Sequence, residues 1–336
     1  MPVDFMPVFI GYLLPAALVS FVLCWIVRWL AKRFQAIDQP TGGRKIHQIP
    51  TPLWGGLGIG LTIIIFVLLQ AHSLQLWGFA LGLLVLMIGG ALDDRFNLKP
   101  WWQFSFIVAA CAIVVATGTN VVHITNWLGG MPIELGWLGY VLAFVWLLVV
   151  TFAMKFMDGL DGLVSGQTVI GAILIALLAL SARFYQPEVA VLSLIVAGAY
   201  FGFLPWNFYP AKQFLGESGA TIAGFSLGFL SILGGAKLAT GLMALGFPLM
   251  DAAFVILGRL SRGMPIWKGD DTHLHFKLLR AGLSQRQTVF LIWSISLITG
   301  LIALSLQSVG KIFLVFWLFL AVLGLSAWAG SKSKSV

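Results

Sequence analysis

The chain has 336 residues, of which 60% are hydrophobic and only 10% are charged. An ordinary soluble domain carries roughly 25% charged residues, so this composition excludes a soluble globular enzyme and favours a membrane protein. The formal net charge of +8 is explained more simply by a basic rim facing anionic lipid headgroups than by nucleic-acid binding. No segment resembles a nucleic-acid-binding module.

About eleven apolar runs predict transmembrane helices, because each crossing needs about 20 apolar residues and a helix pairs its own backbone polar groups. These runs cover residues 7–31, 53–71, 76–92, 102–118, 137–154, 165–183, 188–204, 218–234, 238–258, 287–306 and 311–329. We therefore predict an all-α, polytopic membrane protein with one membrane-embedded domain over residues 1–336. Cys24 and Cys111 fall inside apolar runs, which favours a packing role over a disulfide or a metal site.

The orientation follows from the basic residues. The first run has no basic residue before its apolar core and a basic cluster at 28–33 after it, which predicts a membrane anchor with its N-terminus outside. With eleven crossings, every lysine and arginine except Arg183, Lys237 and Lys311 falls on the cytoplasmic side, as the positive-inside rule expects. The C-terminus is then cytoplasmic, and most acidic residues lie on the same inner face.

The third run ends in two adjacent carboxylates, Asp93 and Asp94, with Arg95 and Lys99 behind them. Such a pair suits binding of a hard divalent cation or activation of an oxygen nucleophile. The alternative is a solvated helix end, although negative charge at a helix C-terminus opposes the helix dipole.

Asp158 and Asp161 are each followed by glycine in the segment MKFMDGLDGLVSG, between the fifth and sixth runs. Glycine lets the backbone approach a ligand closely. The alternative is that Asp161 caps the sixth helix and Gly159 stops the fifth. A repeated Asp-Gly is explained less well by capping.

The eighth run opens with Gly216, Glu217, Ser218 and Gly219. Free amides and the positive end of the helix dipole favour a phosphate there, and Glu217 is a candidate metal ligand. The alternative is a loop that glycine makes flexible, with Ser218 or Glu217 capping the helix.

The last large loop combines basic residues with His273 and His275. Two histidines at positions i and i+2 cannot share a face of a regular helix, so one ligand for both requires the backbone to extend or turn there. Arg262 and Lys277 suit phosphate recognition; the alternative is a basic patch beside the membrane. Asp251 is embedded in an apolar run, where a carboxylate is costly, and we expect it to orient a basic residue of this loop.

These motifs resemble, in order and spacing, those of the polyprenyl-phosphate N-acetylhexosamine-1-phosphate transferases, which start bacterial cell-wall and surface-polysaccharide assembly. The match runs from RKIHQIPTPLWGG at residue 44 to HLHFKLLRAGLSQRQ at the end of the last loop. The resemblance implies transfer of N-acetylhexosamine 1-phosphate, GlcNAc 1-phosphate first of all, from a UDP-sugar to undecaprenyl phosphate with release of UMP. Eleven helices resemble the UDP-N-acetylglucosamine branch, since the muramoyl-pentapeptide branch has ten.

The resemblance further implies a Mg2+-dependent site, with Mn2+ as an alternative, on the cytoplasmic face of the cell inner membrane. The partners it implies are UDP-N-acetylhexosamine, undecaprenyl phosphate and membrane lipids, and it leaves a homodimer open. Two other functions stay open as alternatives: use of a phospho-MurNAc-pentapeptide donor, and transport of a polyprenyl lipid or sugar. A transporter needs polar residues along a membrane pathway, where Asp251 is the one acidic candidate.

Residue roles are carried over from the resemblance position by position. The implied catalytic residues are Asp93, Asp94, Asp158, Asp161, His273 and His275. The implied metal ligands are Glu217, Asp93 and Asp94. The implied substrate-binding residues are Arg44, Lys45, His47, Lys155, Phe214, Arg262 and Lys277, with Phe214 at the position of an aromatic ring that stacks on uracil.

This sequence departs from the family pattern at three places. Lys155 and Phe152 stand where relatives carry asparagines, Glu217 replaces an aspartate, and Phe276 replaces a histidine that is common in the eleven-helix branch. The first two departures bear on the geometry of nucleotide and metal binding. The third bears on the sugar preference.

Overall fold

The computed structural model describes residues 5–40, 49–124, 126, 131–182, 184–233, 245–264, 272–306 and 308–332. Within these ranges the chain forms twelve α-helices. They are α1 (Phe5–Arg33), α2 (Gly55–Leu69), α3 (Leu74–Phe96), α4 (Pro100–Ala116), α5 (Leu138–Met157), α6 (Leu163–Leu180), α7 (Pro187–Asn207), α8 (Gly216–Leu233), α9 (Gly246–Leu260), α10 (Leu274–Arg280), α11 (Gln285–Ser305) and α12 (Ser308–Lys332).

Two short antiparallel ribbons join consecutive helices, and the all-α prediction missed both. β1 (Ile37–Asp38) pairs with β2 (Thr51–Pro52) between α1 and α2. β3 (His123–Ile124) pairs with β4 (Ile133–Glu134) between α4 and α5. Both lie outside the apolar runs, where pairing two extended segments satisfies backbone groups that no helix can satisfy.

Each predicted apolar run overlaps one of these helices, and residues 238–244 of the ninth run lie outside the described residues. Seven helices, namely α1, α3, α5, α6, α7, α11 and α12, are long and apolar enough to cross a membrane. The helices α2 and α4 are apolar but shorter. The chain is therefore a multi-pass helical membrane protein, while the number of crossings and the side of each terminus stay predictions.

The burial of the helices separates a protein core from a lipid-facing surface. The helices α6 and α7 are largely enclosed, whereas α1 and α12 lie mainly on the outside. Leu18, Trp25 and Trp29 of α1 are exposed, as are Phe313 and Trp317 of α12. Large contiguous apolar surfaces are rare on soluble proteins, so this exposure fits a hydrocarbon surround. Cys24 and Cys111 are buried and free, which confirms their packing role.

Close packing at glycine brings three helices together near one end of the bundle. A Cβ atom added to Gly90 of α3 would overlap the backbone of Ser218 in α8, and one on Gly56 of α2 would overlap Gly219. The C-terminal end of α3 and the N-terminal ends of α2 and α8 therefore meet without intervening side chains. We call this the polar end of the bundle, because the acidic residues of α3, α8 and the α5–α6 turn all lie there.

Candidate active site

Asp93 is held by the beginning of the next helix. Its Oδ1 accepts a hydrogen bond from the amide of Leu98 at 2.9 Å and another from the side-chain nitrogen of Gln103, in α4, at 2.7 Å. These bonds fix the turn between α3 and α4. Asp93 is therefore not the solvated helix end that the sequence left open.

Asp94 occupies the N-terminus of α8. Its Oδ1 accepts from the amide of Glu217 at 2.8 Å, and its Oδ2 is buried without a hydrogen-bond partner. Gly216 has a positive φ of 75°, and a Cβ atom there would overlap this carboxylate. The anion site predicted at this helix end is thus real, but the protein's own carboxylate fills it instead of a phosphate.

Lys155, in the last turn of α5, reaches into the same cluster. Its ammonium donates to Oε1 of Glu217 and to Oε1 of Gln103, each at 2.6 Å. A continuous network therefore links α3, α4, α5 and α8. Lys155 and Glu217, two of the departures from the family pattern, are partners in one ion pair.

The two Asp-Gly aspartates have different surroundings. Asp161 accepts from the amide of Ala211 at 2.9 Å, which ties the α5–α6 turn to the segment between α7 and α8. Asp158 follows the last residue of α5, is exposed, and accepts no hydrogen bond from any described residue. The predicted cap by Asp161 was wrong, since Gly162 is the N-cap of α6 and has no side chain to cap it. Gly159 does follow the C-cap of α5 directly.

The pKa of Asp158 is raised to about 7. The first cause is partial loss of hydration beside protein atoms, and the second is repulsion from the carboxylates of Glu217 and Asp161. Its side chain is exposed to the cleft, so water weakens the first of these causes. The two carboxylates act in the same upward direction. A carboxylate that titrates near neutral pH and has no protein partner is suited to exchange a proton or to bind a cation.

Two positioning residues escaped the sequence analysis. Asn207, at the end of α7, accepts from the amide of Gly162 at 3.1 Å and from Ser165 at 2.7 Å, and its amide donates to Gln213. Gln103 bridges Asp93 and Lys155. Both residues could have been recognised in the sequence as single amide side chains within one helical turn of the end of an apolar run.

The segment that carries His273 and His275, called the histidine loop, contacts the α5–α6 turn at Gly159. Nδ1 of His273 and Oδ2 of Asp251 form a hydrogen bond of 2.7 Å. The amide of Leu274 donates to Oδ1 of Asp251 at 2.8 Å. The expectation that Asp251 orients a basic residue of this loop is confirmed. Because α10 begins between the two histidines, the rings of His273 and His275 stack with centroids 5.5 Å apart. The backbone therefore turns between the two histidines, as binding of one ligand by both rings requires.

His275 is fully buried, and neither ring nitrogen has a hydrogen-bond partner among the described residues. Burial, helped by the neighbouring His273, lowers the pKa of His275 to about 4 although Asp251 opposes the shift, so the ring is neutral at pH 7. Its Nε2 atom lies against Gly159, where an added Cβ would overlap it. In this conformation His275 supports the turn that carries Asp158.

Aromatic rings form a row beside the cluster. Phe152 stacks on Phe104 with centroids 5.8 Å apart, and Phe152 contacts Phe156 at 5.9 Å. Phe156 in turn lies 6.4 Å from the ring of His273. Since Phe104 is exposed on the apolar surface, the row connects that surface to the histidine loop. Phe152, the departure from asparagine, is part of this apolar path.

The remaining predicted substrate residues are spread around the polar end. Arg262 and Lys277 line a cavity of about 330 Å³ between α9, α10 and α12, together with Asp251 and Ser326. Lys277 donates to Ser326 at 2.7 Å. The amide of Phe214 donates to Pro52 of β2 at 2.8 Å. Three predicted residues, Arg44, Lys45 and His47, lie outside the described residues.

The polar end offers carboxylate oxygens to a divalent cation. Within the described ranges, no three His, Cys, Asp or Glu side chains converge closely enough to hold a metal ion by themselves. Mg2+ commonly binds through one or two carboxylates and completes its shell with water and substrate phosphates. The buried Oδ2 of Asp94 has no hydrogen-bond partner and the carboxylate of Asp158 is exposed, whereas Oε1 of Glu217 is held by Lys155. The residues present therefore fit a cation whose remaining ligands are water and, when they are bound, substrate phosphates.

Comparisons with known proteins agree with this architecture. The profile described as Glycosyl transferase family 4 matches residues 76–235, from α3 past the end of α8. A protein of Bacillus subtilis (strain 168) is 32% identical over 314 residues, which cover 91% of this chain and 87% of that protein. The chain belongs to glycosyl transferase family 4.

The relatives carry names from two branches. The Bacillus subtilis protein is named "Probable undecaprenyl-phosphate N-acetylglucosaminyl 1-phosphate transferase". A decaprenyl-phosphate N-acetylglucosaminephosphotransferase of Mycolicibacterium smegmatis is 32% identical, with coverage of 88% of this chain and 80% of that one. A phospho-N-acetylmuramoyl-pentapeptide-transferase of Moorella thermoacetica is 29% identical, with coverage of 86% and 93%.

Proposed function

We propose that this protein transfers GlcNAc 1-phosphate from UDP-N-acetylglucosamine to undecaprenyl phosphate. An oxygen of the lipid phosphate forms a bond to the β-phosphorus of the nucleotide sugar, and the bond from that phosphorus to the oxygen of the α-phosphate breaks, which releases UMP. The observation that carries the proposal is the unpartnered carboxylate of Asp158 beside Asp94 and Glu217 at one end of an apolar bundle. The names of the 32%-identical relatives support it.

The two substrates differ in solubility, and this supports the proposed location of the reaction. Undecaprenyl phosphate resides in the bilayer, whereas a nucleotide sugar is soluble, so they meet where apolar surface adjoins a polar cleft. The aromatic row from Phe104 to His273 leads from the apolar surface to such a cleft. We propose that the polar end lies on the cytoplasmic face of the inner membrane, in accord with the basic residues predicted on that side.

Each group at the polar end has a proposed role. Asp158, whose pKa lies near neutrality, accepts a proton from the acceptor phosphate or contacts the cation. Arg262 and Lys277 bind phosphate oxygens, and Phe214 stacks on the uracil ring. Asp94 contributes its free Oδ2. In the described conformation Asp93, Asp161, His273 and His275 position these groups through the contacts given above.

Displacement at phosphorus leaves negative charge on the departing UMP. When bound, Mg2+ supplies neutralisation of that charge. Arg262 and Lys277 add fixed positive charge, and holding both phosphates in line contributes much of the rate acceleration. We propose Asp94 and Asp158 as the side chains that hold the cation, because Oδ2 of Asp94 has no hydrogen-bond partner and the carboxylate of Asp158 is exposed.

A second donor is favoured by one observation, the 29% identity to a phospho-N-acetylmuramoyl-pentapeptide-transferase. That identity is lower than the 32% to the GlcNAc-1-phosphate relatives. UDP-N-acetylglucosamine is therefore the first donor proposed. No observation on the described residues favours the transporter alternative.

The test is release of UMP by the purified full-length protein in detergent with undecaprenyl phosphate and Mg2+. Parallel reactions contain UDP-N-acetylglucosamine, UDP-N-acetylgalactosamine or UDP-MurNAc-pentapeptide, and a control omits the lipid. We expect lipid-dependent UMP release with UDP-N-acetylglucosamine. Consumption of another donor alone would reject the sugar assignment, and no lipid-dependent UMP with any donor would reject the transferase proposal.

A further inference from the structure

Lys155 points into a cluster of carboxylates and away from the solvent. Only 17% of its side chain is exposed, and 15% of the side chain of Glu217. Its ammonium contacts Glu217 directly and reaches Asp93 through Gln103. The amide of Glu217 continues the network to Asp94.

The carboxylates of this cluster outnumber its cations. Among the described residues, Lys155 is the one basic side chain within ion-pair distance of Asp93, Asp94, Asp158 or Glu217. Four carboxylates and one ammonium leave three negative charges when all are ionised. Like charges held close together in a crowded site destabilise one another, so the cluster attracts positive charge, and each change in its own charge alters that attraction.

We propose that Lys155 is a built-in counter-ion of this cluster, that Glu217 holds it in place, and that the pair sets the affinity of the cluster for a divalent cation. Lys155 is thus a positioning residue, and Glu217 contributes both its own negative charge and the contact that holds Lys155 in place. The proposal rests on the proposed function only in taking a divalent cation as the ligand of the cluster.

Two geometric facts favour this role over simple packing. Lys155 donates to two different acceptors at 2.6 Å, and both acceptors also belong to the network that holds Asp93 and Asp94. A lysine that served only for packing would not need to place its ammonium between two polar acceptors, Gln103 and Glu217. The two partners in this contact, Lys155 and Glu217, are also two of the departures from the family pattern, and a glutamate side chain is one methylene longer than that of aspartate.

The experiment compares Mn2+ binding, measured by paramagnetic resonance on the full-length protein in detergent without substrates. Lys155→Met removes the cation that pairs with Glu217, so at a pH high enough to keep the carboxylates ionised Mn2+ should bind about tenfold more tightly or better. Glu217→Gln makes the cluster less negative, so binding should weaken about tenfold. The double variant Lys155→Met with Glu217→Gln restores the net charge, and its affinity should return to within about threefold of that of the unmodified protein.

Two further variants separate charge from shape. Lys155→Arg keeps the charge and should leave Mn2+ affinity unchanged. Lys32→Met removes an exposed lysine at the end of α1, outside the cluster, and should also leave it unchanged. Melting temperatures establish that each variant is folded. If Lys155→Met does not fold, the comparison of Glu217→Gln with the double variant gives the same charge difference.

Three results would overturn the proposal: Mn2+ affinity that Lys155→Met leaves unchanged or weakens, a double variant that does not recover, or no saturable Mn2+ binding in any variant. A purely structural lysine lowers the melting temperature of Lys155→Met without producing the predicted order of affinities. Because no substrate is present, failure of the transferase assay would leave this measurement intact, and the two proposals can fail separately.

Discussion

The two acidic motifs at the polar end look alike in sequence but differ in the fold. At the end of α3, Asp93 and Asp94 accept hydrogen bonds from backbone amides and from Gln103. In the turn between α5 and α6, Asp161 accepts from the amide of Ala211, whereas Asp158 accepts no hydrogen bond from the described residues and is exposed. Carboxylates that accept from the protein's own amides stabilise the arrangement of helices. A carboxylate left without a partner is available to a ligand.

Asp158→Asn should produce the largest loss of activity. We expect turnover to fall about 10³-fold, because a proton acceptor or cation ligand is removed. The melting temperature should stay the same or rise slightly, since no hydrogen bond is lost and repulsion from Glu217 and Asp161 is relieved. UMP release and thermal unfolding of the same preparation check this. Normal turnover would assign the free carboxylate no role in the reaction.

Asp94→Asn should combine a smaller loss of activity with a loss of stability. Its Oδ1 accepts from the amide that begins α8, and weakening this hydrogen bond costs about 1 kcal/mol. Turnover should fall about 10²-fold because the buried Oδ2 is replaced. Comparing melting temperatures with those of Asp158→Asn tests the contrast between the two motifs. Equal melting temperatures for the two variants would contradict it.

Gly159→Ala should move the turn that carries Asp158. The added Cβ would overlap Nε2 of His275 and lie 3.0 Å from the ring of Phe276, so the turn must shift. Displacement of reacting groups by about 1 Å costs up to 10²-fold, and we expect roughly tenfold lower turnover. Gly11→Ala in α1 is the matched control, because no atom lies within 4 Å of its added Cβ. Unchanged turnover in Gly159→Ala would exclude this overlap as a constraint on the turn.

The smallest effect expected is a dependence of stability on pH. The pKa of Asp158 in the folded protein, about 7, is above its ordinary value. The contribution of Asp158 to the free energy of unfolding is therefore complete below about pH 4, where the carboxyl is protonated in both states. It is lost as the pH rises through 7 and the folded protein gives up this proton. The melting temperature of the unmodified protein should therefore fall, relative to that of Asp158→Asn, between pH 4 and pH 8. Parallel melting curves of the two proteins would instead place the pKa of Asp158 near its ordinary value.

Several contacts at the polar end could be predicted from the sequence because they depend on local features. Asp251 lies alone in an apolar run, so a partner for it in the following loop was expected, and His273 is that partner. The spacing of His273 and His275 required a turn, and α10 begins there. In both cases the cost of a buried charge or the geometry of a helix left few alternatives.

Other features needed the distances between helices. The motif that begins α8 predicted an anion site, but which anion fills it depends on how closely α3 approaches, and Gly90 and Gly216 allow Asp94 to reach it. The capping role of Asp161 was wrong because the amide of Ala211, fifty residues away in the chain, is a competing donor. The pairing of Lys155 with Glu217 spans 62 residues, and no local pattern indicates it.

The sequence by itself determined that this is a multi-pass helical membrane protein with its reactive residues at the ends of the apolar runs. Hydrophobic length and the cost of charge in hydrocarbon act residue by residue along the chain, so they can be recognised without a fold. Only the tertiary structure decided which carboxylates are paired and which is free. That outcome depends on hydrogen-bond distances of about 3 Å between helices far apart in the chain, and such distances are set by packing at a few glycines rather than by composition.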